Sequence, residues 1–205
     1  MNTKLLGGFA LLGAPCLAIG LSLESIFGNA SRSPWMGLWG ILYISGWMAS
    51  LIALRDLGVF DARSLQARRV GHTLARLILV TLTLANILNV WEMVAPTYKP
   101  TLFYIVDLGW PVSNLLMLPI GVAILMARQL YGWQRWAPLA VGCWLPIALL
   151  TKNIPDLRYL PLVYSAVAWV LLAVVVLLES ARQQRTHTIS GIALRDDIPR
   201  PLIQE

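Results

Sequence analysis

Charged side chains, histidine and cysteine are scarce in this sequence. Asp, Glu, Lys and Arg make up 13% of the 205 residues, and there are two histidines and two cysteines. His72 and His187 are too few to build a His-rich zinc site or a bis-histidine haem site within a membrane. No phosphate-cradling motif of the form GxxxxGK followed by Ser or Thr occurs. The sequence therefore predicts no metal site and no nucleotide-binding loop of that type.

The two cysteines and the serines offer little chemistry. Cys16 and Cys143 both lie in apolar segments, where a thiol behaves as a small hydrophobic group, so a disulfide framework is not expected. A nucleophilic serine needs a basic partner, and His72 lies at the opposite end of its segment from the polar cluster described below. The sequence therefore favours a role without catalysis, and it predicts no particular cofactor.

Long apolar runs dominate the chain instead. Hydrophobic residues account for 58% of the sequence, more than a chain of this length can bury in a water-soluble core. The formal net charge is +6, but the basic residues are scattered between apolar segments and form no continuous stripe with interleaved aromatics. This pattern excludes nucleic acid as the expected partner and indicates the lipid bilayer.

We predict an all-α, polytopic membrane protein with a bundle of six transmembrane helices. A helix needs about 20 predominantly apolar residues to cross the hydrocarbon. The domain would cover residues 1–179, and residues 180–205 would form a cytoplasmic tail. The predicted spans, numbered one to six, are residues 5–23, 34–54, 70–95, 102–127, 133–151 and 160–178.

The basic residues predict that both termini are cytoplasmic. With the N-terminus inside, the inner side collects Lys4, Arg55, Arg63, Arg68, Arg69, Arg128, Arg135, Arg182, Arg185, Arg195 and Arg200. The outer side collects Arg32, Lys99, Lys152 and Arg158, and Arg76 lies inside span three near its inner end. This excess agrees with the positive-inside rule. Aromatic belts are expected at the interfaces, from Trp35, Trp110, Trp133 and Trp136.

Polar residues near the outer ends of spans three and four form the candidate site. Asn86, Asn89 and Glu92 recur at steps of three just before Pro96, and they cover about 120° of helix surface and about 9 Å of rise. In span four, Asp107 and Asn114 are seven residues apart and nearly aligned. Pro111 also removes the amide that would bond the Asp107 carbonyl.

Two acids, three carboxamides and one freed carbonyl would make an oxygen-rich pocket suited to a hard cation, a protonated amine or a proton relay. Glu24, at the outer end of span one, is a further candidate for this pocket. The alternative is structural: Glu92 and Asp107 would pair with Lys99, Lys152 or Arg158 and hold the outer loops together. The asparagines would then link helices by hydrogen bonds.

The leading functional hypothesis is an outward-facing pocket between spans three and four that binds or transports a small solute or cation. A second hypothesis is a non-catalytic membrane subunit or sensor that acts through a partner membrane protein or as a homo-oligomer. A third is a lipid-modifying enzyme that uses the paired acids, which would need a cavity open sideways to lipid.

Overall fold

The structure is a computed structural model that describes residues 2–27, 34–157 and 159–196; the side chains of residues 24, 25, 27 and 187–196 are outside the description. Every regular element within these ranges is helical. The α-helices are α1 (Thr3–Gly13), α2 (Cys16–Phe27), α3 (Pro34–Asp56), α4 (Leu65–Val94), α5 (Thr101–Asp107), α6 (Gly109–Ala127), α7 (Ala137–Gly142), α8 (Trp144–Thr151) and α9 (Leu160–Asp196).

Five helical segments among the described residues are long and apolar enough to cross a membrane. They are Thr3–Leu23, Pro34–Asp56, Leu65–Val94, Thr101–Ala127 and Pro155–Thr186. Large apolar side chains on their outer faces are exposed in the isolated chain, for example Leu12 at 75% and Val80 at 59%. Such surfaces are stable against acyl chains and unfavourable in water. This architecture indicates a multi-pass membrane protein.

The segment predicted as span five is not one continuous helix. It consists of a short 3-10 helix, Gly132–Trp136, followed by α7 and α8, which are separated at Cys143. Pro138 and Pro146 each lie in the first turn of a short helix, where the missing amide donor leaves no helical hydrogen bond unmade. Five span-length segments therefore stand among the described residues, where the sequence predicted six.

Prolines explain the breaks in two other segments. α1 ends at Gly13, and α2 begins at Cys16, immediately after Pro15. α5 ends at Asp107 and α6 begins at Gly109, which places Pro111 in the first turn of α6. A proline ring clashes with the carbonyl four residues earlier, so each helix stops and restarts instead of continuing straight.

α3 is the central helix of the bundle. It packs against α1, α2, α4 and α9, and Tyr43, Trp47, Leu51 and Leu54 on α3 are buried. The Tyr43 and Trp47 rings pack against Trp169 of α9, with centroid distances of 5.4 and 5.2 Å. These contacts hold α3 against α9.

Small residues allow the first helices to approach closely. Ala10 of α1, Ala49 of α3 and Ala173 of α9 form one buried contact. A Cβ atom added to Gly13 would lie 2.5 Å from the carbonyl oxygen of Leu42, so the backbones of α1 and α3 nearly touch there. Close backbone approach of this kind is how helices associate in lipid.

The loop between α3 and α4 packs onto the end of the bundle where α3 ends and α4 begins. Val59 and Phe60 are buried in the core. Asp61 accepts bonds from Arg68 Nε at 2.9 Å and His72 Nε2 at 3.1 Å, and Ser64 caps α4 through the amide of Ala67. The loop is therefore tied to the first two turns of α4.

α9 extends beyond predicted span six. The helix continues from Leu160 to Asp196, which includes much of the predicted tail. Just beyond predicted span six, Arg182 lies 3.9 Å above the Tyr131 ring and pairs with the buried Glu179 at 3.7 Å. Gln183 donates to the Leu57 carbonyl at 3.0 Å. The first turns after residue 179 thus belong to the bundle.

Candidate functional site

A cavity of about 270 Å³ lies between α2, α3, α4 and the α5–α6 break. This volume is slightly below the usual range for sites that bind small molecules, about 300–1,000 Å³. Three of the residues predicted as a polar cluster line it: Asn89, Glu92 and Asp107. The sequence placed the pocket between spans three and four, whereas the structure adds α2 and α3 as two of its walls.

α4 contributes the carboxylate and one amide. Glu92 is the third residue from the end of α4, and Asn89 lies one turn deeper, about 4.5 Å along the axis. Both side chains are half-buried and face α3 across the cavity. The helix ends at Val94 because Pro96 disfavours helical backbone at the residue before it. The acid therefore stands at the mouth of the cavity and the amide stands further inside.

The α5–α6 break contributes the second carboxylate. Asp107 is the last residue of α5, and its side chain lines the cavity while remaining exposed. Pro111 has no amide hydrogen, so it gives no helical hydrogen bond to the Asp107 carbonyl. A carboxylate and a carbonyl oxygen lacking its helical donor therefore belong to the same residue at this break.

Asn86 lies behind the cavity and does not line it. Its amide donates to Ser45 Oγ of α3 at 3.1 Å, and its carbonyl oxygen accepts a weak bond of 3.5 Å from the amide of Asn89. Asn86 therefore links α3 to α4 and orients Asn89, which is the role of interhelical hydrogen bonding that the sequence left as an alternative.

Asn114 and Glu24 are not placed at the cavity. Asn114 is 1% exposed and donates to the Trp110 carbonyl one turn earlier at 2.9 Å. The prediction that Asp107 and Asn114 share one face assumed a continuous helix between them. The helix is broken at Leu108, so the two side chains are not aligned. The side chain of Glu24 lies outside the described residues.

Aromatic rings form the rest of the cavity wall, and sequence reasoning missed them. Trp39 and Tyr43 of α3 and Trp110 of α6 line the cavity beside Asn89 and Asp107. Trp110, predicted as a belt residue at the interface, packs edge-on against Trp144 at 5.1 Å and is half-buried. The available signal was the spacing of Trp39 and Tyr43, which places both rings on one face of α3.

The hydroxyl of Tyr43 is an unsatisfied polar group at the cavity. Tyr43 is 1% exposed, and its Oη has no hydrogen-bond partner among the described residues. The Trp110 indole is its neighbour but lies outside good hydrogen-bonding geometry. Because an indole N–H only donates, the hydroxyl proton of Tyr43 lacks an acceptor in either arrangement. A buried group of this kind favours a ligand atom that completes its hydrogen bonding.

The sequence left open that Asp107 pairs with a basic residue of the outer loops. Within the described ranges Asp107 forms no ion pair, and the Lys99 ammonium group instead lies 4.9 Å from the Phe103 ring centroid. Arg158, another predicted partner, lies outside the described residues. Asp107 therefore faces the cavity without a cation from Lys99 or Lys152 against it.

A second cavity of about 570 Å³ lies on the other side of α2. Leu17 and Leu21 line both cavities, so α2 is the partition between them. The second cavity is bounded by α8 and the start of α9, where Ser165 is 1% exposed and its Oγ has no partner among the groups described. Its lining is mostly apolar, which suits an alkyl chain.

The site does not have the features of a dedicated metal centre. In the part of the chain that the structure describes, no group of three or more His, Cys, Asp or Glu side chains converges. Comparison of the chain with family models, curated proteins and solved structures gives no match.

Proposed function

We propose that this chain is an integral membrane protein that binds a small organic cation in the cavity between α2, α3, α4 and the α5–α6 break, as the recognition step of transport or sensing. The observation that carries the proposal is that Glu92 and Asp107, from different helices, line one small cavity together with the rings of Trp39, Tyr43 and Trp110.

The mixed lining favours an organic cation over a bare metal ion. Two carboxylates supply negative charge at the mouth, and aromatic faces attract a cation through their quadrupoles by about 0.5–2 kcal/mol. A metal ion would need several oxygen ligands at short, regular distances, whereas an amine or quaternary ammonium group fills space and tolerates apolar walls. Asn89 and the Tyr43 hydroxyl would hydrogen-bond a polar substituent of the ligand.

The proposal includes six crossings with both termini in the cytoplasm. From Gly132 to Thr151 the chain is helical except at Cys143, and its combined length is roughly 30 Å, the thickness of the hydrocarbon core. A broken helix is stable in lipid where neighbouring helices cover the interrupted backbone, and α7 packs against both α6 and α9. An even number of crossings then agrees with the distribution of basic residues.

Cysteine labelling tests this topology. In a Cys16→Ala, Cys143→Ala background, Asn2→Cys and Gln204→Cys are expected to react with a membrane-impermeant maleimide only after the cells are permeabilised. Thr97→Cys, in the exposed turn between α4 and α5, is the control and is expected to react in intact cells. Labelling of one terminus and not the other in intact cells would contradict six crossings.

Thermal unfolding of the purified protein with candidate ligands tests the binding proposal. The probes are choline, its uncharged isostere dimethylbutanol, a primary alkylamine, Na⁺ and Mg²⁺. A cation that binds only the folded state stabilises it by about 2.7 kcal/mol at 100 times its Kd. We expect an organic cation to raise the unfolding temperature and the isostere to have no effect. Equal stabilisation by the isostere, or none by any organic cation, would overturn the proposal.

Gly40 provides a mild test of the cavity wall. A Cβ atom added at Gly40 would collide with the terminal atoms of the Asn89 side chain, which can rotate away at little cost to folding. Gly40→Ala is therefore expected to weaken cation binding roughly tenfold, since Asn89 loses its position, while the unfolding temperature without ligand changes little. Gly8→Ala is the matched control, because no atom lies within 4 Å of its added methyl group. Equal affinities for the two variants would remove Asn89 from the site.

A second candidate ligand is a cationic amphiphile. Leu17 and Leu21 of α2 line the acidic cavity as well as the larger apolar one, so an alkyl chain could pack against these two side chains while its ammonium group lies near Glu92. Alkylamines of increasing chain length separate the two candidates. A steady gain in affinity with length favours the amphiphile, and no gain beyond a few carbons favours the small cation.

A further inference from the structure

A groove of about 530 Å³ with an excess of positive charge lies on the first turns of α4, far from the cavity. Arg68, Arg69, His72, Thr73 and Arg76 line it. Arg68 and His72 share Asp61 as their acidic partner. Arg69 and Arg76 form no ion pair within the described residues, and both are exposed. The groove therefore offers two guanidinium groups that Asp61 does not neutralise.

The two arginines and Thr73 lie on one face of α4. Residues at i, i+4 and i+7 of a helix fall within about 60° of one another, and Arg69 and Arg76 are separated by about 10 Å along the axis. Guanidinium groups bind phosphate oxygens in pairs of parallel hydrogen bonds, and the hydroxyl of Thr73 between them is a further donor. This arrangement suits a phosphate group that lies outside the bundle, against this face of α4.

An exposed apolar stripe continues from Arg76 along the same face. Val80, Leu84 and Ile87 are 59%, 37% and 49% exposed, and their spacing keeps them in line with Arg76. The cavity residues of α4, Asn89 and Glu92, lie on the opposite side of the helix by the same geometry. One helix thus presents the acidic cavity to the bundle and a basic end followed by an apolar stripe to its surroundings.

The depth of Arg76 specifies the partner. It lies 18 residues before Val94, or about 27 Å along α4, whereas the hydrocarbon core is about 30 Å thick. A charged group at the edge of the hydrocarbon is costly unless it reaches a headgroup or a counter-ion. Arg69, nearly two helical turns further out, lies at the level of the headgroups.

We infer that Arg69, Thr73 and Arg76 form a binding site for the phosphate of an anionic phospholipid, whose acyl chains lie along Val80, Leu84 and Ile87. The site is distinct from the cation cavity and does not depend on the function proposed for that cavity. It would hold α4 at a fixed depth, because the phosphate fixes one end and the acyl chains cover the exposed stripe.

The test measures binding of phosphatidylglycerol to the full chain in phosphatidylcholine mixed micelles. We expect the Arg69→Gln, Arg76→Gln double variant to bind phosphatidylglycerol roughly thirtyfold more weakly, from the usual contribution of a basic residue at an anionic surface. The matched control is Arg63→Gln, Arg128→Gln, which removes the same charge from two exposed arginines in a neighbouring groove and is expected to retain affinity. The unfolding temperature in phosphatidylcholine alone verifies that each variant is folded.

Three results would overturn the inference. One is an equal loss of phosphatidylglycerol affinity in the control variant, which would show that only the net charge of the protein matters. Another is equal affinity of the native chain for phosphatidylglycerol and phosphatidylcholine. The third is competition by inorganic phosphate at the same concentration as the lipid, which would show that the acyl chains contribute nothing. If the glutamine pair does not fold, Arg76→Lys is the second variant, and unchanged lipid affinity in that variant would exclude paired recognition of phosphate by Arg76.

Discussion

Removing the charge of Glu92 is expected to weaken binding of the organic cation about thirtyfold, and removing that of Asp107 about tenfold. Glu92→Gln and Asp107→Asn keep the size and shape of the side chains, so the change isolates charge. The effect is larger for Glu92 because it is half-buried, whereas Asp107 is exposed and its field is screened by water and salt. Titration of each purified variant by ligand-dependent unfolding or calorimetry measures both values.

The matched control is Asp156→Asn. Asp156 is an exposed carboxylate in the short helix Pro155–Leu157 and does not line the cavity. We expect no change in affinity from this substitution. The Asp107 effect should also shrink as the salt concentration rises, and the Glu92 effect should shrink less. An equal loss for all three variants, or no loss for Glu92→Gln, would contradict the assignment of these acids to the site.

The second large effect is on stability. Trp169→Ala is expected to lower the free energy of unfolding by about 3–5 kcal/mol, as large-to-small substitutions of buried aromatics do. Trp169 is 2% exposed and contacts the rings of Tyr43, Trp47 and Trp144, at centroid distances of 5.4, 5.2 and 6.3 Å. Its removal leaves a void between α3 and α9. Reversible unfolding in mixed micelles measures the change.

Two comparisons sharpen this result. Trp133→Ala, at a position that is 50% exposed, is the control and is expected to cost far less. Trp169→Phe keeps an aromatic ring and removes an indole N–H that has no partner among the described residues, so it should be milder than the alanine variant. Comparable losses for Trp133→Ala and Trp169→Ala would show that the aromatic cluster does not hold the bundle together. The cation affinity of Trp169→Ala should also fall, since Tyr43 loses its support.

The candidate site was partly readable from the sequence. The step of three from Asn86 to Glu92 marked one side of α4 because helix geometry is fixed, and Pro111 indicated that the Asp107 carbonyl lacks its helical hydrogen-bond donor. The structure brings Asn89, Glu92 and Asp107 to one cavity but leaves Asn86 behind it and buries Asn114 elsewhere. The rotation of each helix about its own axis, relative to its neighbours, decides which of these side chains reach the cavity. The periodicity of the sequence does not specify that rotation.

The aromatic wall shows a different limit. Trp110 was assigned to the membrane interface because tryptophans are enriched there, but its neighbours Trp39 and Tyr43 come from a helix about 70 residues earlier in the chain. Only the packing of α4 against both α3 and α6 reveals that these rings surround an acidic cavity. The close approach at Gly40, which brings Asn89 against the α3 backbone, is likewise a property of two helices together.

By itself, the sequence determined that the chain is helical and built of long apolar segments, because lipid admits only elements that satisfy their own backbone hydrogen bonds. It also marked Pro96, before which α4 ends. Tertiary structure alone decided that the residues around Cys143 form two short helices, that α3 is central, and which face of α4 meets the cavity. The physical reason is that composition and local sterics act within a few residues, whereas a binding site is made by side chains of separate helices whose contacts depend on how the whole bundle packs.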